Sequence, residues 1–252
     1  MAFTDGLLGS GGAQGGLSEY VVVYEAQQGR QLRTIPSDIP WEVAALNEPM
    51  AVARHAVNRL GLQPGATVAV FGAGPIGLGA VLSAKALGAS HVVAVDVQPN
   101  RLETELKVGA DAVINSAEED VKARLIELHG TAPRSFVRGA WPATDGYLDA
   151  AGVPAVIETI LSSVKHGAVV SIPAVHKAPV PVNFGDLLTT EVDIRLAMGY
   201  PTEIFEVTDD IIANADKYRH IISHVIPFDR ALEAIELART PGAADKVVVV
   251  LE

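Results

Sequence analysis

A glycine-rich segment with the pattern G-x-G-x-x-G follows an apolar run at residues 67–71. Its defining residues are Gly72, Gly74, Pro75, Ile76 and Gly77. The first glycine permits a tight turn, the second lets a phosphate approach the backbone, and the third lets a helix pack closely on the preceding strand. The N-terminus of that helix presents free N–H groups and the positive end of its dipole. The segment therefore predicts a pyrophosphate-binding turn, and the alternative is a tight glycine turn that binds no ligand.

An acidic residue, Asp96, follows the next apolar run and lies nineteen residues after Gly77 (96 − 77). A carboxylate at this position accepts hydrogen bonds from the hydroxyls of an adenosine ribose, and it would repel a 2′-phosphate. The pattern therefore predicts a site that prefers NAD to NADP, with an ordinary solvated carboxylate as the alternative. Arg101 is a nearby cation that either lines the adenine side of this site or is a simple surface charge.

Strands and helices alternate from residue 66 onward, and this alternation places the glycine segment between a strand and a helix. Strands joined through helices form right-handed βαβ units. We therefore predict an α/β fold with a doubly wound parallel sheet, the Rossmann fold. Predicted strands lie at residues 67–71, 91–95, 110–114, 147–150, 168–172 and 192–198, with helices at 75–87, 99–107, 118–128 and 154–164.

The two ends of the chain carry further signals. Residues 1–16 are rich in glycine and predict a flexible arm, whereas β-branched and aromatic residues at 19–24 predict a strand. A helical pattern runs from about residue 40 to residue 60. The tail holds a predicted helix at 228–238 and a terminal strand at 246–251.

Four segments of the chain resemble those of the zinc-type medium-chain dehydrogenases, most of all the sorbitol, threonine and butanediol dehydrogenases. The segments are residues 16–21 (GLSEYV), 46–57 (LNEPMAVARHAV), 62–77 (LQPGATVAVFGAGPIG) and 107–115 (KVGADAVIN). The resemblance implies NAD-dependent hydride transfer to or from a small-molecule secondary alcohol or polyol, with a catalytic zinc as Lewis acid. A dinucleotide-binding remnant or subunit without catalysis is the alternative.

The resemblance also implies a division of the chain. Residues 1–47 correspond to a remnant of the family's catalytic GroES-like β domain, and residues 48–200 to its NAD-binding Rossmann domain. Residues 201–252 correspond to a C-terminal segment that returns toward the catalytic domain. In the family the front of the catalytic domain supplies the zinc ligands, and this chain contains no cysteine. We therefore expect a truncated enzyme without a metal site of its own, and zinc only in a full-length form.

Further site residues follow from the same resemblance. Glu48 corresponds to a glutamate that reaches the zinc or its bound water, with a helix-capping carboxylate as the alternative. Lys246 corresponds to a basic residue near the pyrophosphate, with a simple lysine at the start of a strand as the alternative. The loops that would hold ribose and nicotinamide correspond to Ala150, Ala151, Ile172, Ala174, Ala197 and Met198.

The composition argues against several other classes of protein. The formal net charge is −11, so binding to nucleic acid is not expected, because phosphate backbones require a basic surface. No apolar run has the length of a membrane span and no signal peptide is evident, so a cytoplasmic location is expected. The apolar segment 192–198 falls at the end of the sheet, and the family pairs two such edges, so we expect a homodimer or homotetramer.

Overall fold

A parallel sheet of six strands forms the centre of the computed structural model, which describes residues 15–133, 139–240 and 242–251. The strands are β1 (Thr67–Phe71), β2 (His91–Asp96), β3 (Ala112–Asn115), β4 (Gly146–Asp149), β5 (Val169–Ile172) and β6 (Asp193–Leu196). They lie in the order β3-β2-β1-β4-β5-β6, and each neighbouring pair is parallel. The predicted doubly wound parallel sheet is confirmed.

Helices cover both faces of this sheet. Those that precede or connect its strands are α1 (Trp41–Ala44), α2 (Asn47–Asn58), α3 (Pro75–Ala86), α4 (Pro99–Val108), α5 (Val121–His129), α6 (Pro154–Leu161) and α7 (Phe184–Leu187). The chain after β6 forms α8 (Ile204–Ala213), α9 (Ala215–Arg219), β7 (His224–Pro227), a 3-10 turn (Phe228–Arg230), α10 (Ala231–Arg239) and β8 (Val247–Val250). Strands β7 and β8 pair in parallel as a separate small sheet.

Side chains of β1 alternate between two apolar cores, one on each face of the large sheet. Val68 and Val70 join the core that α2, α3 and α8 cover, whereas Ala69 and Phe71 join the core that α5 and α6 cover. Burial on both faces is typical of a parallel strand between two helical layers. The strand is therefore held from both sides just before the glycine segment begins.

Helices α2 and α3 come into close contact at Gly79. A Cβ atom placed on Gly79 would lie 2.7 Å from Sδ of Met50 and 2.8 Å from the Cβ of Ala53. Only glycine leaves room for the two helices at this separation, because protein interiors are already packed to the density of crystals. The contact fixes the position of α2 relative to α3.

Helix α8 packs on α2, where a buried arginine holds it. The guanidinium of Arg54 donates to the carboxylates of Glu206, at 3.1 Å, and Asp210, at 2.8 Å. The hydroxyl of Tyr218 donates to the same Asp210 carboxylate at 2.7 Å. Part of the C-terminal segment is thus built into the core of the sheet domain, while the proposed division of the chain into three parts stays a prediction.

The predicted strand at residues 19–24 is wrong. The structure assigns no strand there, and Tyr20 and Tyr24 expose 88% and 78% of their surface. Valine and tyrosine favour strands because they pack well on a neighbouring strand, and the described part of the chain supplies no such neighbour. Between residues 15 and 40 the structure describes a single β-bridge, from Gln28 to Leu32, so the expected β-domain remnant contains no sheet in its described part.

The other predicted elements agree with the structure in order and type, and β1 has the predicted bounds. The glycine-rich arm lies outside the described residues up to residue 14. Within the described ranges, no helix combines the length and the apolar character that crossing a membrane requires.

Candidate cofactor-binding site

The predicted site residues lie at one edge of the large sheet, where its strands end. Gly72 follows β1, Asp96 ends β2, and Ala150 follows β4. Ile172 ends β5, and Ala197 follows β6. All six strands are parallel, so their carboxyl ends meet at this edge. The strand order reverses between β1 and β4, and ligands of open α/β sheets bind in the crevice at such a reversal.

Gly72 brings the turns after β1 and β4 into contact. Its φ of +96° lies in the left-handed region that favours glycine, and a Cβ atom there would lie 2.9 Å from the backbone nitrogen of Ala151. The N–H of Ala150 donates to the carbonyl of Phe71 at 2.8 Å. The predicted residues Ala150 and Ala151 therefore lie directly against the glycine turn.

Helix α3 begins within the glycine segment, with Gly74 as its N-terminal capping residue and Pro75 as its first residue. A Cβ atom on Gly74 would have no atom within 4 Å, so the space beside this backbone is open. A Cβ atom on Gly77 would lie 1.8 Å from the carbonyl oxygen of Gly72, so turn and helix touch through their backbones. A helix leaves the N–H groups of its first turn without helical partners. Ile76 and its neighbours thus offer donors beside open space, which suits an anion.

Asp96 is fixed beside this turn by three backbone donors. Its Oδ2 accepts a hydrogen bond of 2.7 Å from the N–H of Ala73. Its Oδ1 accepts bonds of 2.7 and 2.9 Å from the N–H groups of Val97 and Gln98. Each carboxylate oxygen can accept more than one hydrogen bond, so the side chain retains capacity for the hydroxyls of a ribose.

Arg101 lies on the first turn of α4 and pairs with an acid from the C-terminal segment. Its Nε lies 3.4 Å from Oδ1 of Asp245. The next residue, Lys246, accepts bonds from the N–H groups of Ser223 and His224 through its carbonyl, and its side chain is partly buried. Arg101 is thus held in an ion pair, and a role of Lys246 at the pyrophosphate stays a prediction.

A buried acid that sequence reasoning missed lies under the glycine segment. Glu105 of α4 is fully buried, and neither of its carboxylate oxygens has a hydrogen-bond partner among the described residues. A Cβ atom on Gly77 would lie 3.4 Å from its Oε1. Burial, and then the charges of Asp96 and Asp245, raise the pKa of Glu105 well above its usual range. This carboxyl therefore favours its neutral form.

A histidine–aspartate pair connects the loops after β4 and β5, and the sequence analysis did not single it out. Nε2 of His176 lies 2.8 Å from Oδ2 of Asp149, which is fully buried. The other oxygen of Asp149 accepts bonds from the N–H groups of Ala151 and Gly152. The N–H of Ala174 donates to the Asp149 carbonyl at 3.3 Å. The predicted loop residues Ala151 and Ala174 are thus anchored on one aspartate.

Glu48 lies near the loop after β6. It is exposed on the first turn of α2, and its charge contributes, after burial, to a raised pKa of the Tyr200 phenol. Met198, in the same loop, is 87% exposed, whereas Ala197 is buried. Glu48 therefore lies beside the loops that are predicted to hold the nicotinamide end of a cofactor.

The residues that the structure describes do not by themselves fit a zinc site. They contain no group of three or more histidine, cysteine, aspartate or glutamate side chains that could hold a metal ion. Catalytic zinc sites use three protein ligands, and Glu48 alone is one. A metal role for Glu48 thus stays a prediction.

Comparison with known proteins agrees with this fold. The sequence profile of the family described as "Zinc-binding dehydrogenase" matches residues 75–214. Sorbitol dehydrogenase of Bacillus subtilis is 35% identical over 211 residues, which cover 81% of this chain and 55% of that protein. (R,R)-butanediol dehydrogenase of Saccharomyces cerevisiae is 33% identical, covering 84% of this chain and 52% of that protein. The chain thus spans about half the length of the curated relatives it matches.

A solved structure also shows similarity to a dehydrogenase. That of 2R,3R-butanediol dehydrogenase from Bacillus subtilis is 28% identical, with a TM-score of 0.81, and the match covers 97% of this chain and 66% of that chain. The family profile spans more than half of the present chain, from the first residue of α3 to the end of α8. The chain therefore belongs to the zinc-binding dehydrogenase family.

Proposed function

We propose that this chain binds NAD and forms the cofactor-binding part of an oxidoreductase that transfers hydride between NAD and a secondary alcohol or polyol. The observation that carries the proposal is the open space beside Gly74 at the start of α3. A pyrophosphate can reach the backbone there without meeting a side chain. The relatives named sorbitol and butanediol dehydrogenase support the substrate class.

The residues of the sheet edge fit the two ends of NAD. Gly72, Gly74 and Gly77 would surround the pyrophosphate, and Asp96 would accept bonds from the adenosine ribose. The loops after β4, β5 and β6 would receive the nicotinamide end. When bound, NAD accepts or supplies the hydride, and the protein contributes position and electrostatics.

Two side chains near the nicotinamide end, Asp149 and His176, would position those loops. Asp149 holds two backbone N–H groups with one oxygen and His176 with the other, so the loops after β4 and β5 cannot separate without breaking buried bonds. An unpaired buried carboxylate would be costly, which supports His176 as a positioning residue. Glu48 would contribute a negative charge at the same end.

Zinc would need ligands beyond those of the described residues. We propose that a full-length form holds it and that this chain alone binds no stoichiometric zinc and oxidises alcohols poorly, because one carboxylate cannot replace three ligands. The alternative is a dinucleotide-binding chain without catalysis. The lack of a group of zinc-ligating side chains among the described residues supports this alternative.

The assembly that we propose is a homodimer, or a homotetramer built from it, in the cytoplasm. Strand β6 is an edge of the sheet, and Ile194 and Leu196 are 41% and 72% exposed. They line an apolar cleft of about 360 Å³ together with Ile157 and Val170. An open apolar edge favours pairing with a second copy, and a two-fold axis would join the same segment of each.

Titration calorimetry with NAD and NADP tests the cofactor proposal, and NAD should bind the more tightly. Equal or tighter binding of NADP would contradict the assignment of Asp96. Elemental analysis after dialysis and a turnover assay with sorbitol and 2,3-butanediol test the rest. One tightly held zinc per chain would contradict the metal prediction. Turnover at the rate of a typical dehydrogenase would contradict the expected poor oxidation and would also exclude the non-catalytic alternative.

A further inference from the structure

A half-buried ion pair lies at the start of α4. Arg101 and Asp245 come within 3.4 Å of each other, and only 22% of the arginine side chain and 15% of the aspartate side chain are exposed. Charges that are withdrawn from water are screened much less by salt than surface charges are. Arg101 is therefore paired with Asp245 by charge, and its Nε forms no hydrogen bond among the described residues.

The backbone places this pair beside Asp96, at the proposed ribose corner of the site, because the N–H of Arg101 donates to the carbonyl of Gln98 at 3.1 Å and the N–H of Gln98 donates to Oδ1 of Asp96 at 2.9 Å. Burial raises the pKa of Asp245, Arg101 lowers it, and the nearby charge of Asp96 raises it again. A Cβ atom on Gly242 would lie 3.0 Å from Oε1 of Gln98, so the segment before β8 packs on the turn between β2 and α4. The pair thus lies close to the carboxylate that would bind the ribose hydroxyls.

The charges around the adenosine ribose determine whether such a site prefers NAD or NADP. NADP differs from NAD by a phosphate on the 2′-hydroxyl of the adenosine ribose, and sites for NADP use a nearby arginine to accept it. A guanidinium suits a phosphate because its planar fork forms paired hydrogen bonds. Arg101 has the right chemistry near the right place, but Asp245 already matches its charge.

We propose that Asp245 is a specificity-determining residue, because it holds Arg101 and so withdraws the cation that would accept a 2′-phosphate. Asp96 repels that phosphate directly, and Asp245 removes the charge that would offset the repulsion. The inference rests on the proposed binding of NAD, and it adds a second determinant from the opposite end of the chain.

Three other ionisable side chains lie near this corner: Glu105, Lys246 and His224, whose charge lowers the pKa of Asp245. Glu105 is buried and responds to the charges of both Asp96 and Asp245. Lys246 follows Asp245 and is partly buried, so it is a second cation that a phosphate could recruit. An experiment on Asp245 must therefore separate the contribution of Arg101 from that of Lys246.

Replacing Asp245 by asparagine keeps the shape of the side chain and removes its charge. We expect the ratio of the NADP and NAD dissociation constants, measured by calorimetry, to shift about tenfold toward NADP, which is the order of one charged hydrogen bond. Adding Arg101→Leu to Asp245→Asn should abolish this shift. Asp229→Asn is the matched control, because Asp229 is exposed and lies two residues after Pro227, which pairs with Val250 at the far end of β8 from Asp245.

A second pair of ligands isolates the corner, since AMP and adenosine 2′,5′-bisphosphate differ only by the 2′-phosphate. Unchanged ratios for both ligand pairs in folded Asp245→Asn, or in Asp245→Ser if the first variant does not fold, would overturn the role of Asp245 while NAD binding stands. A shift that survives in the double variant would assign it to another cation such as Lys246 and would also overturn the proposal. If the wild-type chain binds neither dinucleotide, the proposed function fails and this inference fails with it.

Discussion

The carboxylate of Asp96 accepts a hydrogen bond of 2.7 Å from the backbone N–H of Ala73, and this bond ties the end of β2 to the glycine turn after β1. The residue that would select the cofactor thus also shapes the turn that would bind its phosphates. Substitutions at Asp96 should therefore change both the stability of the fold and the preference between NAD and NADP. Comparing two different substitutions separates these effects.

Asp96→Ala removes the acceptor for three backbone donors, so we expect the free energy of unfolding to fall by about 2 kcal/mol. The same change should narrow the difference between NAD and NADP affinity, because it removes the charge that repels a 2′-phosphate. Asp96→Asn is the comparison variant, since it removes the charge and keeps one of the two oxygen acceptors, so it should lose less stability than Asp96→Ala. Calorimetry and thermal melts would measure both, and an unchanged cofactor preference in Asp96→Asn would contradict the electrostatic argument.

Replacing Gly74 by alanine should weaken NAD binding, whereas replacing Gly77 by alanine should destabilise the fold. Gly74 has a φ of −82° and open space around it, so Gly74→Ala should fold with a stability within about 0.5 kcal/mol of wild type. Its methyl group would occupy the space proposed for pyrophosphate, so NAD affinity should fall at least about tenfold, as for a loss of about 1.4 kcal/mol. In Gly77→Ala the methyl group would lie 1.8 Å from a carbonyl oxygen, and we expect a loss of more than about 3 kcal/mol in stability.

Circular dichroism melts and NAD titrations distinguish these outcomes. Wild-type NAD affinity in folded Gly74→Ala would show that the pyrophosphate does not occupy this space. Wild-type stability in Gly77→Ala would show that α3 can move away from the turn at little cost.

Stability should depend on pH through Glu105. Its pKa is raised in the folded chain by burial and then by Asp96 and Asp245, whereas an unfolded glutamate titrates near pH 4.3. The favourable contribution of the neutral carboxyl is therefore complete below about pH 4.3 and is lost as the pH rises through the raised folded pKa. Thermal melts of the wild-type chain between pH 5 and pH 8 should show stability falling as the pH rises above the unfolded pKa, and levelling off above the raised folded pKa.

Glu105→Gln should remove that loss, and we expect it to raise stability at pH 8 by about 1–3 kcal/mol relative to wild type. Glu103→Gln is the matched control, because Glu103 lies on the same helix and is exposed. If both variants melt alike across the pH range, the buried carboxyl has found a partner and the expectation is wrong.

Ile194→Pro tests the proposed dimer at the free edge of β6. Asp193 and Ala197 donate their N–H groups to Ala168 and Ile172 in and beside β5. Backbone groups alternate in direction along a strand, so the N–H of Ile194 points away from β5 toward the open edge. Proline there should remove one N–H donor that β6 would offer to a partner strand, without breaking the pairing of β5 with β6.

Size exclusion with light scattering should show a dimer for wild type and for Ile194→Thr, which keeps the donor, and a monomer or a much weaker dimer for Ile194→Pro. A wild-type monomer at tens of micromolar would refute the edge-strand argument.

The sheet could be predicted from the sequence because its signals are local. The run 67–71 is apolar throughout, as a strand buried on both faces must be, and the glycines that follow mark its end. Residues 19–24 carry an equally strong composition for a strand, but a strand exists only where a neighbour pairs with it. Helix α8 was not predicted, and Arg54, from a distant part of the sequence, is what anchors it.

Site residues were likewise predictable where the signal lies in neighbouring sequence, and not where they depend on contacts between distant segments. Gly72, Asp96 and Ala150 could be placed together because parallel strands end at one edge. The pairing of Arg101 with Asp245 could not, since it depends on how the chain returns after α10. Glu105 had a detectable signal: it lies three residues from both Leu102 and Val108, on the buried stripe of α4, where a carboxylate is out of place.

Helices α2 and α3 pack closely where Gly79 meets Met50 and Ala53. Helix α2 carries Glu48 on its first turn, and α3 begins at the glycine turn that is proposed to bind pyrophosphate. The separation between the predicted reaction end and the phosphates is therefore set by a residue that touches neither. A larger side chain at position 79 would push α2 and α3 apart and so increase the distance from the glycine turn to Glu48. A dinucleotide could then bind through its pyrophosphate while its nicotinamide lies too far from Glu48.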